Sequence, residues 1–155
     1  MVIPAITGYN EKEMFIGEYT HTVDEKNRFS LPAKFRKALG RKIVITRGKD
    51  HCLFLYPHRT WLQISDEVAK LGHVETDPRF ARFTFSGAAE IEIDSIGRIL
   101  VPEFLREFAD LPAGRQGLNP PAGGQIIITG VHDRVEIWSD KRWATYKKKL
   151  ESEYA

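Results

Sequence analysis

An α+β fold built from two tandem β-rich units with short helices is the architecture this sequence predicts, on three observations. The run Val23-Asp24-Glu25-Lys26-Asn27-Arg28-Phe29-Ser30-Leu31-Pro32 recurs 70 residues later as Ile93-Asp94-Ser95-Ile96-Gly97-Arg98-Ile99-Leu100-Val101-Pro102. Around each copy the apolar pattern changes between strand and helix periods in the same order, β-turn-β-α-β-β-α. A chain of 155 residues can bury a core, but half of it would be marginal alone, so the two units share a core or assemble with other chains.

Residues 1–13 read as a flexible leader, because organised sequence begins at Met14-Phe15-Ile16-Gly17-Glu18-Tyr19. A short strand from Gly17 to Asp24 enters a polar turn at Asp24 to Arg28. Asn27 holds the fourth place of that turn and Gly97 its counterpart, and these are the residue types that best tolerate positive φ. Phe29-Ser30-Leu31 and Ile99-Leu100-Val101 follow as strands, kept extended at their last residue by the proline after it. Pro32 and Pro102 suit the first position of a helix, where a missing N–H costs nothing. The helix from Ala33 to Leu39 is expected to turn Phe35, Ala38 and Leu39 inward, and that from Glu103 to Ala109 to turn in Phe104, Leu105 and Phe108. Arg36 and Arg106 are expected to point outward from them.

A hairpin then closes each unit. Ile43 to Thr46, a turn around Gly48 and Cys52 to Tyr56 form the first; Ile126 to Thr129, a turn near Gly130 and Val135 to Trp138 form the second. Helices follow, marked by Trp61, Ile64, Val68 and Leu71 and by Trp143, Tyr146 and Leu150. Asp77-Pro78 reads as the cap of a connecting helix, Arg79 to Phe85, before a strand from Ala88 to Asp94. The units are therefore expected at residues 14–75 and 88–150, joined by 76–87. The second carries a Gly- and Pro-rich insertion, 112–124, read as a flexible surface loop, and its hairpin lies 83 residues after the first one's.

A net charge of +2 does not by itself indicate a nucleic-acid partner. Its distribution does: from Arg28 to Lys49 there are eight basic residues and no acidic one. A one-sign stretch spread over several elements points to an anionic partner. The single Cys52 lies in an apolar run and reads as a small buried hydrophobe in a reducing cytosol. There is neither a signal peptide at the start nor an apolar stretch long enough to span a bilayer, so the expected location is cytoplasmic, with no membrane partner.

The Asp-x-x-x-Arg pattern followed by an apolar strand and proline resembles the swapped-hairpin DNA-binding domain of the AbrB superfamily. Its double occurrence, together with Met14 to Tyr19, Cys52 to Pro57, Phe85-Ser86-Gly87-Ala88 and Asp94 to Pro102, is similar to the MraZ family of transcriptional regulators. Departures are the leader, the insertion and Asn27 where glycine is usual. The resemblance implies two AbrB-like swapped-hairpin domains related by a pseudo-two-fold. It also implies a nucleoid-associated, sequence-specific regulator that binds repeated promoter boxes upstream of the division and cell-wall gene cluster as a ring-shaped homo-oligomer. On the motif, Asp24 and Asp94 would fix their turns while Arg28 and Arg98 reach double-stranded DNA.

Arginine suits that role because its planar fork takes guanine edges or phosphate oxygens bidentately. The competing reading is a salt bridge that only closes a turn. Lys26, Lys34, Arg36 and Lys37 are expected to contact phosphates and position the protein without reading sequence, and Arg106 is expected to bind DNA as well. Glu103 and Glu107 crowd the second helix, so that copy is expected to contribute less.

Other functions have weaker support. Glu90, Glu92 and Asp94 alternate along one strand and could hold Mg²⁺ for phosphodiester hydrolysis, but their first-copy counterparts are Thr20, Thr22 and Asp24. His21, His51, His58, His73 and His132 show no paired ligand spacing, and Ser30 lacks a nucleophile-elbow context. No enzyme, metal or cofactor is expected. An AbrB-type antitoxin or protein-interaction adaptor would use Trp61, Trp138 and Trp143 as anchors, although periodicity makes them core or subunit-interface residues first.

Overall fold

A computed structural model of the chain describes residues 14–73, 77–114 and 124–155. The first copy contains β1 (Phe15–Thr22), β2 (Arg28–Ser30), α1 (Ala33–Leu39), β3 (Lys42–Arg47), β4 (Leu53–Pro57) and α2 (His58–His73). After α3 (Arg79–Ser86) come β5 (Ala89–Glu92), β6 (Arg98–Leu100), α4 (Glu103–Phe108), β7 (Gln125–His132), β8 (Arg134–Ser139) and α5 (Asp140–Tyr154).

The strands form a six-stranded antiparallel sheet in the order β1-β7-β8-β4-β3-β5 and a two-stranded ribbon, β2-β6. That order reads the same from either edge once the copies are exchanged. Each copy gives its first strand to the other: β1 pairs with β7, and β5 with β3. In the ribbon, the equivalent residues Phe29 and Ile99 face each other. Phe54 and Glu136, three places before the residues that pair with Ile43 and Ile126, face each other at the β4–β8 centre. A pseudo-two-fold axis through both pairs relates the halves, and the exchanged strands give them one core.

Side-chain alternation decides where that core sits. Ile43, Ile45, Leu53, Leu55, Ile126 and Ile128 project from one face of the large sheet. Phe29 and Ile99 meet them from the ribbon, Phe35 and Leu39 from α1, and Leu105 from α4, all buried. Anchored from beneath in this way, the ribbon keeps its opposite face toward solvent. At the β1–β7 crossing Gly17 opposes Gly130, where a Cβ on Gly130 would lie 2.3 Å from the Ile16 amide nitrogen.

Several sequence expectations shift. The second hairpin does not turn at Gly130: β7 runs through it, and the reversal is at His132-Asp133, with His132 at φ 63°. Pro32 and Pro102 are extended, with ψ 136° and 144°, and precede their helices by one residue, where their carbonyls accept the first helical N–H groups. Phe104 is 46% exposed, because it holds the place of Lys34 on the outer flank of its helix while Leu105, Phe108 and Ala109 take the inward positions. Leu71 is also exposed, near the end of α2, whereas Val68 is buried. The leader and most of the insertion lie outside the described residues. The ends of the insertion are described, and both reach the first turn: Gly114 N–H donates to Asn27 Oδ1 at 2.7 Å, and Val23 N–H to Gly124 O at 3.0 Å.

Candidate nucleic-acid interface

Each motif turn is closed by its aspartate through the backbone. Asp24 Oδ1 accepts the N–H groups of Lys26 at 2.8 Å and Arg28 at 2.9 Å, while Asn27 N–H donates to Asp24 O and Asp24 N–H to Arg28 O. Asp94 repeats the pattern with Ile96 and Arg98 at 3.1 and 2.8 Å. Asn27 at φ 64° and Gly97 at φ 88° occupy the left-handed region that lets so short a turn close. The Arg98 N–H on its carboxylate, more than any other contact, holds Asp94 below the usual carboxylate range.

With Phe29, Ile99, Leu31 and Val101 buried, alternation sends Arg28, Ser30, Arg98 and Leu100 to the outer face of the ribbon. The register sets Arg28 opposite Leu100 and Ser30 opposite Arg98. Both arginines therefore lie on one surface, diagonally about the pseudo-axis.

Their surroundings differ. Arg98 Nε donates to Asp94 Oδ2 at 2.9 Å, and its Nη1 lies 3.6 Å from Asp24 Oδ2, a carboxylate of the other copy. Among the described residues, the Arg28 guanidinium takes no hydrogen bond or ion pair. Among the described residues the turn-closing salt bridge thus exists in the second copy and not in the first.

The remaining cations divide as well. Lys26, Lys34 and Lys37 are exposed on the motif side. Arg36 and Arg106, expected to point freely outward, are instead half-buried: Arg36 Nε donates to Leu31 O at 2.8 Å and its Nη1 to Ile96 O at 3.4 Å, and Arg106 Nε donates to Val101 O at 3.1 Å. Arg36 can lie over the second turn because Gly97 has no Cβ; one would sit 2.2 Å from the Arg36 Cζ. Arg47, part of the basic run, packs 4.5 Å above the Phe83 ring and donates to Phe83 O and Ser86 Oγ, away from the ribbon. The positions of Lys26 and Lys34 are taken in the second copy by exposed Ile96 and Phe104.

The other sheet face, under α2, α3 and α5, forms an aromatic groove of about 870 Å³ that includes Phe54, Tyr56, Trp61, Phe83, Trp138 and Trp143. At its floor buried Glu136 takes hydrogen bonds from Arg134 Nε at 3.0 Å and Trp138 Nε1 at 3.1 Å, with Arg134 stacked 4.4 Å over Phe54. The tryptophans are legible as packing residues, but the groove is not, since its floor forms where β4 of one copy pairs with β8 of the other.

The alternating carboxylates Glu90, Glu92 and Asp94 have separate partners. Glu90 lies 3.7 Å from His58, Glu92 lies 3.7 Å from Arg41, and Asp94 serves its turn. Among the described residues no group of three or more His, Cys, Asp or Glu could hold a metal ion, and no helix is long and apolar enough to cross a membrane.

Comparison with known proteins agrees with this architecture. The family described as "MraZ protein, putative antitoxin-like" matches twice, over residues 14–83 and 84–154. The chain is 44% identical over 143 residues to the transcriptional regulator MraZ of Desulfitobacterium hafniense (strain DSM 10664 / DCB-2), covering 92% of each chain. It is also 44% identical over 142 residues to the proteins of that name from Moorella thermoacetica and Halothermothrix orenii, covering 91% of this chain and 92% of each of theirs. A repeated family match across the exchanged-strand fold and relatives of this similarity and coverage lead to one conclusion: the chain belongs to the MraZ family.

Proposed function

We propose that the outer face of the β2-β6 ribbon binds duplex DNA in the major groove, and that the protein is a sequence-specific transcriptional regulator. The observation that carries this reading is the pair of arginines, Arg28 and Arg98, displayed on one antiparallel ribbon about a pseudo-two-fold axis. The major groove admits a two-stranded ribbon, and the fork of arginine matches the O6 and N7 acceptors of guanine. The relatives' shared name, transcriptional regulator, supports the same reading.

In this proposal Arg28 and Arg98 read bases, Asp24, Asp94, Asn27 and Gly97 hold the turns, and Pro32 and Pro102 set the helices behind them. Lys26, Lys34 and Lys37 neutralise phosphates. Arg36 and Arg106 brace the ribbon and offer their remaining N–H groups to the backbone of the DNA. The two motif-bearing units, residues 14–75 and 88–150, act as unequal halves of one reading head, and neither catalysis nor a cofactor enters.

One ribbon makes few cationic contacts. A ring of copies would present successive ribbons to successive promoter boxes at high effective concentration. The resemblance points to boxes upstream of the division and cell-wall genes and to a place in the cytoplasm, on the nucleoid. An antitoxin role, which the family description mentions, would need a toxin partner. A gel shift with the gene's own upstream duplex tests the proposal: retarded, Arg28-dependent complexes are expected, and unretarded DNA at low salt would refute it.

A further inference from the structure

The outer face of the ribbon holds four side chains in a two-by-two array. The axis exchanges Arg28 with Arg98 and Ser30 with Leu100. Arginine is matched by arginine, so the array departs from symmetry at one pair of positions alone. One of that pair is a leucine, 45% exposed, on a strand whose inward neighbours Ile99 and Val101 are already buried in the core. A lone exposed leucine is ordinary on a protein surface. This one stands directly opposite Arg28, the arginine whose guanidinium has no partner among the described residues.

Residues directly opposite on an antiparallel pair carry Cβ atoms about 4.5–5.5 Å apart. That spacing is comparable to one or two steps along a base-pair stack. In the major groove the apolar feature of a base edge is the C5-methyl of thymine, while guanine shows the acceptors that fit arginine. We propose that Leu100 reads a thymine methyl beside the guanine taken by Arg28, and so makes the recognised box asymmetric. This inference rests on the DNA-binding reading above. Ser30, with a hydroxyl that can donate or accept, imposes no such requirement beside Arg98. The protein thereby has a direction on DNA: one arginine half-site demands a flanking thymine and the other does not. The same departure extends outward, with Ile96 and Phe104 where the first copy has Lys26 and Lys34.

The test removes the methyl and nothing else. The full-length protein is titrated against its own upstream duplex, prepared with thymine and with uracil, first throughout and then at single positions. For the parent protein, one uracil position per box is expected to weaken binding about fourfold, the effect of losing one buried carbon from an apolar contact. Leu100→Ser, which copies Ser30 at an exposed site, is expected to bind thymine and uracil duplexes equally. Leu100→Met is expected to keep the discrimination. If the parent shows Arg28-dependent binding but no sensitivity to uracil at any position, or if Leu100→Ser retains that sensitivity, the thymine assignment is overturned and the DNA-binding reading stands. If the parent binds neither duplex, both fall together.

Discussion

Asp24 Oδ2 lies 3.6 Å from Arg98 Nη1, so the carboxylate that closes the first copy's turn also faces the arginine of the second. Both side chains are about one-third exposed, which keeps the Coulomb contribution small in water. The contact matters for orientation: with Asp94 on its other side, Arg98 is held by two carboxylates, while among the described residues Arg28 is held by none.

Removing Asp24 should destabilise the first turn to an extent set by what replaces its carboxylate. Asp24→Ala leaves the Lys26 and Arg28 amides without their acceptor and should lower unfolding free energy by about 1–2 kcal/mol, whereas Asp24→Asn, which keeps an acceptor oxygen, should cost less. Denaturant midpoints at constant m-value measure both.

The second turn carries a pH signature. The folded-state pKa of Asp94 is depressed below its ordinary 3.8, chiefly by the Arg98 N–H, so its contribution is present above that ordinary value and lost as pH falls through the depressed one. Asp94→Asn should flatten the fall in Tm below about pH 4 relative to the parent, as thermal melts across that range would show.

Arg28 and Lys37 should respond differently to substitution. Arg28→Ala should weaken specific binding by about 1–3 kcal/mol, and Arg28→Lys should recover little of it, because an ammonium lacks the planar fork. Lys37→Ala should weaken specific and scrambled duplexes alike, since a phosphate contact carries no sequence information. Competition binding with both duplexes separates these outcomes.

Two glycines distinguish crowding from backbone strain. Gly130→Ala would drive a methyl into the β1 backbone, 2.3 Å from the Ile16 nitrogen, and should cost about 2–4 kcal/mol. Gly40 has φ 77° and ψ −176° and nothing within 4 Å of its added Cβ, so Gly40→Ala should cost about 1–3 kcal/mol, from backbone strain alone. Equilibrium unfolding of the two variants makes the comparison.

Cys52 reports on the core. Burial pushes its thiol well above the ordinary cysteine range, and Sγ donates to Lys49 O at 3.1 Å. The folded protein should resist thiol reagents near neutral pH and react at the rate of a free thiol once unfolded. Time courses with and without denaturant are the check.

Much of this fold is readable along the chain, for identifiable reasons. The repeated Asp-x-x-x-Arg-apolar-x-apolar-Pro run fixes turn, strand and helix start together, and Asn27 and Gly97 mark the one backbone conformation both turns need. Local pattern fails where the decision is made by another segment. Gly130 reads as a turn residue but sits in a strand because β1 passes over it. Phe104 fits an apolar helical spacing, yet two turns of helix bury only Leu105, Phe108 and Ala109. Arg28 and Arg98 share the same local sequence logic, yet among the described residues only Arg98 is paired, with Asp94 of its own turn and Asp24 of the other copy across the ribbon, a difference the repeated motif does not carry.

The most direct measurement is binding of the parent protein and Arg28→Ala to the gene's own upstream duplex and to a scrambled duplex across a salt series. The parent should prefer the upstream duplex, with log affinity falling against log salt by roughly 0.9 per phosphate neutralised, and Arg28→Ala should lose most of that preference with nearly the same salt slope. An Arg28→Ala protein that keeps the full preference would contradict the account.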